Sequence, residues 1–257
     1  MKTVLITGGN SGIGFELAKL FAKDGYRLLL VARDKEKLQA AAKQLIKQYS
    51  VTVESIVLDL ADPASTTKLF DKTEKMGWKV TALVNNAGFG DYGVLINADW
   101  KKLQSMIQVN VMCLTHLSRL YAPYMVKQKR GYILNIASTA SFFPGPLMAT
   151  YYASKAYVLS FSVATANELK PYGIQVTALC PGPTATGFGS AAKVADSPLF
   201  KKKLLTPAEV AEAGYNGLVN GKDVVIPKLS NQLGVALGKL IPLELAAKIT
   251  RSVQEKG

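Results

Sequence analysis

The stretch Thr3-Val4-Leu5-Ile6-Thr7-Gly8-Gly9-Asn10-Ser11-Gly12-Ile13-Gly14-Phe15-Glu16-Leu17-Ala18 decides the fold. A short β-favouring apolar run ends in a glycine-rich turn, and a helix-forming stretch follows at once. Gly8, Gly12 and Gly14 stand in a G-x-x-x-G-x-G pattern. Glycine permits the tight turn, lets backbone approach a diphosphate, and brings helix close to strand. The unpaired N–H groups at the start of the helix then face the anion. Gly8, Asn10, Ser11, Gly12, Ile13 and Gly14 are therefore candidate contacts to a dinucleotide.

Outward from this turn, apolar runs and helical stretches alternate. Strands are expected at 3–7, 26–32, 51–58, 80–85, 131–137, 173–180 and 222–227. Helices are expected at 12–24, 35–48, 64–76, 99–127, 150–170 and 207–219. Runs such as Leu28-Leu29-Leu30-Val31 are apolar throughout, as in strands covered on both faces of a parallel sheet. The expectation is an α/β fold: one doubly wound Rossmann-type domain over 1–257, with about seven parallel strands and helices on both faces. Ligands bind at the carboxyl ends of such strands. Residues 183–206, rich in Gly, Ser and Ala, break the alternation and read as a lid. The tail, 231–257, reads as helix broken at Pro242, packed on the domain or on a partner subunit. A membrane-surface helix is the second reading.

The 257 residues are 49% hydrophobic, enough for a substantial core. No run is long and apolar enough to span a membrane. Met1-Lys2 leads straight into the first strand, so no signal peptide is expected. Cys113 and Cys180 lie in apolar surroundings, as reduced thiols of a cytoplasmic protein would. A single histidine, His116, argues against a His-based triad or a histidine-rich metal site. The formal charge of +13 is spread along the chain, with Lys201-Lys202-Lys203 as its one run. Aromatics do not alternate with the cations, so no nucleic-acid partner is expected.

The second strand ends at Val31-Ala32-Arg33-Asp34, about 20 residues past the loop, where a dinucleotide's ribose is discriminated. Arg33 offers a fork suited to a 2′-phosphate, and Asp34 reads as the N-cap of the next helix. NADP, with NADPH preferred over NADH, is the expected cofactor. Asp59 ends the third strand and could accept from an adenine amino group, or cap the turn before Asp62-Pro63. Asn85-Asn86-Ala87-Gly88 ends the fourth. There asparagine can fix main-chain groups, while Ala87 and Gly88 leave room for a cofactor.

One further pair completes the pattern. Tyr151 and Lys155 lie four apart, on one face of a helix, and no other tyrosine of the chain has a lysine at that spacing. With Thr7 to Gly14, Asp59, Asn85 to Gly88, Asn110, Ser138 and Pro181-Gly182, the chain resembles the short-chain dehydrogenase/reductase family over about residues 1–190. The loop spacing looks like its compact single-domain branch.

The resemblance implies roles. Tyr151 would be the general acid that protonates a carbonyl oxygen as hydride arrives. Lys155 would favour its phenolate and bond the nicotinamide ribose. Ser138 would hold the substrate oxygen, with Thr139 and Ser141 as neighbours able to substitute. Asn110 would help hold a relay water, and Pro181, Gly182 and Thr184 would flank the nicotinamide. The implied activity is NADPH-dependent reduction of a ketone or aldehyde, with a small apolar carbonyl or alcohol as substrate, bound among Ser138, Tyr151, Ser141 to Met148 and the lid. The ending differs from that of tetrameric oxoacyl-carrier-protein reductases, which argues against their tetramer; a homo-oligomer, a dimer, is expected. Two alternatives stand beside this: a non-catalytic NADP-binding sensor, and a basic membrane-surface binding protein.

Overall fold

The computed structural model describes residues 2–201 and 204–255. Lys202 and Lys203 of the lysine run, and the last two residues of the tail, lie outside the described residues. Seven parallel strands form one sheet: β1 Thr3–Thr7, β2 Arg27–Ala32, β3 Val53–Val57, β4 Ala82–Asn85, β5 Gly131–Ile136, β6 Ile174–Leu179 and β7 Val224–Val225. Their order is β3-β2-β1-β4-β5-β6-β7. The order reverses between β1 and β4, so the chain leaves these neighbours in opposite directions and opens a crevice beyond their carboxyl ends.

The helices are α1 Gly12–Lys23, α2 Lys35–Tyr49, α3 Ser65–Lys75, α4 Trp100–Ile107, α5 Leu114–Lys127, α6 Ala149–Leu169, α7 Phe188–Ala191, α8 Pro198–Lys201, α9 Pro207–Val219, α10 Leu229–Gly238 and α11 Leu243–Gln254. Local chemistry starts them where the sequence signals do. Asp34 accepts from the Lys37 N–H and caps α2. Thr206 and Glu209 form a capping box on α9, with Pro207 opening the helix. The expected helix over 99–127 is α4 and α5 joined by a π-helical turn, Gln108–Cys113.

Both faces of the sheet are buried. Leu28 and Leu30 pack with Leu17, Phe21 and Leu38 on one side. Leu5, Leu29 and Leu83 pack with Leu69, Leu117 and Met125 on the other. Each such side chain contributes about 1.5–3 kcal/mol. A buried polar chain crosses the hydrophobic layer. The Asn85 amide donates to Ser118 and Asn135, and the Asn135 amide to Ser162. It pins the ends of β4 and β5 to α5 and α6, and thereby fixes the helix that carries Tyr151.

The described residues of 183–206 include α7 and α8, and Thr184 bridges to Leu205. The tail breaks as Pro242 implies, between α10 and α11, and Val235, Ala246 and Gln254 are buried against the domain.

Candidate active site

The crevice beyond β1 and β4 holds about 700 Å³. At its nucleotide end, Gly8 and Gly12 adopt φ of +65° and +55°, a conformation open to glycine at little cost. Gly14 is required for space instead: a Cβ there would lie 2.4 Å from both the Gly8 carbonyl oxygen and the Asn86 amide. The Asn86 amide itself donates to the carbonyls of Thr7 and Gly8 at 2.9 and 3.1 Å. The Thr7 hydroxyl accepts from the N–H groups of Asn86 and Ala87 at 3.0 Å each. The loop after β1 is thus tied to the loop after β4.

Ser11, at the head of α1, makes no side-chain cap, so the first N–H groups of that helix have no side-chain acceptor and face the crevice. Arg33 is exposed at the end of β2 with no ion-pair partner among the described residues. Asp34, beside it, is committed to α2: one oxygen accepts from the Lys37 N–H at 3.0 Å, and the Lys37 ammonium lies 3.0 Å from the other. These bonds hold its carboxyl below the usual range. Asp59 caps its turn, accepting from the Ala61 N–H at 2.9 Å, and still lines the crevice.

At the other end, Ser138 follows β5, and its hydroxyl oxygen accepts from the Ala140 N–H at 3.1 Å. Ser141, its rival, is spent: its hydroxyl donates to the Lys155 carbonyl at 2.7 Å and accepts from the Ser138 N–H. Tyr151 and Lys155 lie on α6, the ammonium 5.9 Å from the Tyr151 ring centroid. That ammonium donates to the Ile136 carbonyl at 2.7 Å. Burial pushes the Tyr151 phenol up to about 12, partly offset by a hydrogen bond with Ser138. Burial pulls Lys155 down to about 8. Desolvation is thus the larger influence on the phenol.

Of the residues singled out in the sequence, Gly8, Asn10, Ser11, Gly12, Ile13, Arg33, Asp59, Asn86, Ala87, Gly88, Ser138, Tyr151, Lys155, Pro181, Gly182 and Thr184 line this one crevice. Two stand behind it. Gly14 packs under the loop. Asn110, in the π-helical turn, donates to the Phe89 carbonyl and Ser154 and accepts from the Phe89 N–H. These bonds tie the side chain to the loop after β4 and to α6.

The segment Ser141 to Met148 needs a further correction. Only Met148 of that segment reaches the crevice. Phe142 lies under the Lys239 ammonium and Phe143 meets Gly238, so both serve α10. The lid adds apolar lining, Phe188, Val194, Leu199 and Phe200, beside Phe89 and Met148. Lys37, four residues past Arg33, also lines the nucleotide end; the one-turn spacing was its signal. Tyr152 faces the crevice too, with its hydroxyl held by Gln254 of α11. No local pattern in the sequence joins residues 102 positions apart. His116 bonds Thr66 at 2.7 Å, away from this site.

Comparison with known proteins places this fold. A family model described as short chain dehydrogenase matches residues 2–196. A very-long-chain 3-oxoacyl-CoA reductase of Anas platyrhynchos is 33% identical, over 84% of this chain and 70% of its own. A short-chain dehydrogenase from Sphingobium yanoikuyae, solved in complex with NADPH, superposes with a TM-score of 0.83 at 33% identity, covering 93% of each chain. A bulky-bulky ketone specific alcohol dehydrogenase from Comamonas testosteroni gives a TM-score of 0.79 at 28% identity, over 97% of this chain and 98% of that one.

Proposed function

The chain belongs to the short-chain dehydrogenase/reductase family, and on that footing we propose that it reduces an apolar ketone or aldehyde to the alcohol at the expense of NADPH. The observation that carries this is the buried Tyr151 phenol beside Ser138, in the same crevice as a glycine cradle. The cradle suits a dinucleotide. A Cβ on Gly14 would collide with its backbone, and the head of α1 presents N–H groups that no side chain caps. Arg33, unpaired among the described residues, supplies positive charge at the nucleotide end, while Asp34, which lines the same end, is engaged by the Lys37 N–H and ammonium.

A bound reduced nicotinamide supplies the hydride. The residues of this chain do the rest. Ser138 donates to the carbonyl oxygen and fixes it against Tyr151. Tyr151 gives its phenolic proton to that oxygen as the carbon gains hydride, so C=O becomes CH–OH and the phenolate is left. Lys155 then lies nearby as a cation, and the negative phenolate draws on it. Phe188, Val194, Leu199 and Phe200 shape the far wall for an apolar substrate, a class in keeping with relatives named for long-chain 3-oxoacyl thioesters and bulky ketones.

The test is NADPH oxidation across a panel of aliphatic, aromatic, steroidal and 3-oxoacyl thioester carbonyls, beside the Tyr151→Phe variant. Turnover of at least one apolar carbonyl, lost in the variant, is expected. Consumption no faster than the enzyme-free blank across the panel would overturn the proposal. So would equal turnover by the variant.

A further inference from the structure

Helix α10 is inside out. Leu229, Leu233 and Leu237 recur every four residues along one side, and all three are more than half exposed. The opposite side meets the domain. Val235 is 4% exposed, Asn231 touches Gly182, and Gly238 touches Phe143. A helix resting on a core normally turns its leucines inward. The surface continues beyond α10, where Leu240 is 82% exposed and Leu243 69%. Contiguous apolar surface of this kind on a folded chain marks a contact.

Its position is fixed by topology. The helix α10 begins just after β7 ends, so it stands at the carboxyl end of the sheet, where the crevice opens. Phe143 of the 143–147 segment packs on Gly238, and the carbonyl of Leu147 accepts from the Gly93 N–H at 2.8 Å. The next residues of that loop, Leu95 and Ile96, are again exposed.

Charge identifies the occupant. Lys228, Lys239, Lys248 and Arg251 are exposed along α10 and α11, against Glu244 and Glu255. Glu255 already accepts from Arg251 at 3.3 Å. A second copy seated symmetrically here would bring together two tails that each carry more exposed cations than anions, on a chain of formal charge +13. An anionic lipid surface offers the complementary charge and a hydrocarbon layer for the leucines. No helix among the described residues is long and apolar enough to cross a membrane.

We propose that α10 and α11 form a docking face that lays the protein on anionic lipid surfaces, with Leu229, Leu233, Leu237, Leu240 and Leu243 sunk into the headgroup boundary. If the proposed reductase activity holds, the crevice then opens toward the phase in which an apolar substrate collects.

The experiment is co-sedimentation of the full chain with phosphatidylcholine vesicles, alone and mixed with phosphatidylserine, at low and high salt. Binding to the mixed vesicles, weakened by salt, is expected. The double variant Leu233→Asp, Leu237→Asp should lower partitioning about tenfold or more. The double variant Lys228→Glu, Lys248→Glu should lower it on the anionic vesicles by about tenfold or more. These are exposed positions, and thermal unfolding beside wild type verifies each fold; should the leucine variant unfold, the lysine variant decides. Failure of wild type to sediment with anionic vesicles overturns the proposal. Sedimentation unchanged in folded variants also overturns it. A dimer in solution that dissociates in the leucine variant, without vesicle binding, overturns it in favour of a second copy.

Discussion

The Lys155 ammonium donates to the Ile136 carbonyl at 2.7 Å and stands 5.9 Å from the centre of the Tyr151 ring. Helical spacing puts the two residues on one face, yet the ammonium is anchored by backbone at the end of β5. Gly88 completes the fit, since a Cβ there would come within 3.3 Å of that nitrogen. Lysine is thereby held beside the phenol as a fixed positive charge, without taking its proton. Burial pushes the Tyr151 phenol up to about 12, so the phenol carries its proton in the crevice without cofactor.

Removing that proton donor should stop turnover and little else. Tyr151→Phe keeps the ring that packs on Phe188 at a centroid distance of 5.2 Å. General acid catalysis contributes about 10²–10⁴-fold, and kcat should fall by that factor. NADPH affinity, read by fluorescence titration, should stay near the wild-type value. A variant that turns over at the wild-type rate would remove Tyr151 from the chemistry.

Burial of Lys155 should be visible in the pH dependence of stability. Folding lowers its pKa from 10.5 to about 8. Below about 8 the folded state carries the full cost of a desolvated charge. Between about 8 and 10.5 the unfolded chain binds the extra proton, so stability contributed by this residue rises with pH. The Tm of wild type minus that of Lys155→Met should therefore grow more positive across that window, measured without cofactor. A difference that is flat or falls with pH contradicts the buried-ammonium assignment.

Cofactor preference should rest on Arg33. Its guanidinium has no carboxylate partner among the described residues, while Asp34 is tied to Lys37. A charge-assisted hydrogen bond contributes ~1.5–3 kcal/mol. Arg33→Ala should raise the KM for NADPH by about tenfold or more on that basis, and leave the KM for NADH within about twofold. Steady-state kinetics with both cofactors measures this. Equal changes in the two values would rule out a phosphate contact.

The elements were legible because periodicity and caps agree with the tertiary fold. Each of the seven expected strands lies within a few residues of an observed one, and Asp34 and Pro242 stop and start helices as their chemistry requires. The positions that converge on the crevice were legible because a doubly wound sheet delivers strand ends to one place. What remained hidden depends on packing. Phe142 and Phe143 look like a substrate wall in sequence, but the leucine-bearing α10 needs an apolar seat and takes them. The π-helical turn that aims Asn110 at Phe89 has no local signature, since one extra residue per turn changes no periodicity strongly enough to read.

The least legible contact gives the last prediction. Gln254, in the final turn of α11, donates to the Tyr152 hydroxyl, and both side chains are buried. The same amide's oxygen has no partner among the described residues. Gln254→Ala leaves the Tyr152 hydroxyl unpaired in a buried site, at a cost of about 1–3 kcal/mol. Melting should therefore fall by about 2–4 °C for each kcal/mol lost. Because Tyr152 also lines the crevice, the KM for an apolar carbonyl should rise while NADPH affinity holds. The double variant Tyr152→Phe, Gln254→Leu removes donor, acceptor and orphaned oxygen together, and replacing both partners by apolar groups of similar shape is nearly neutral. It should recover most of the lost Tm. A double variant no more stable than Gln254→Ala would mean that α11 is held by its apolar contacts alone.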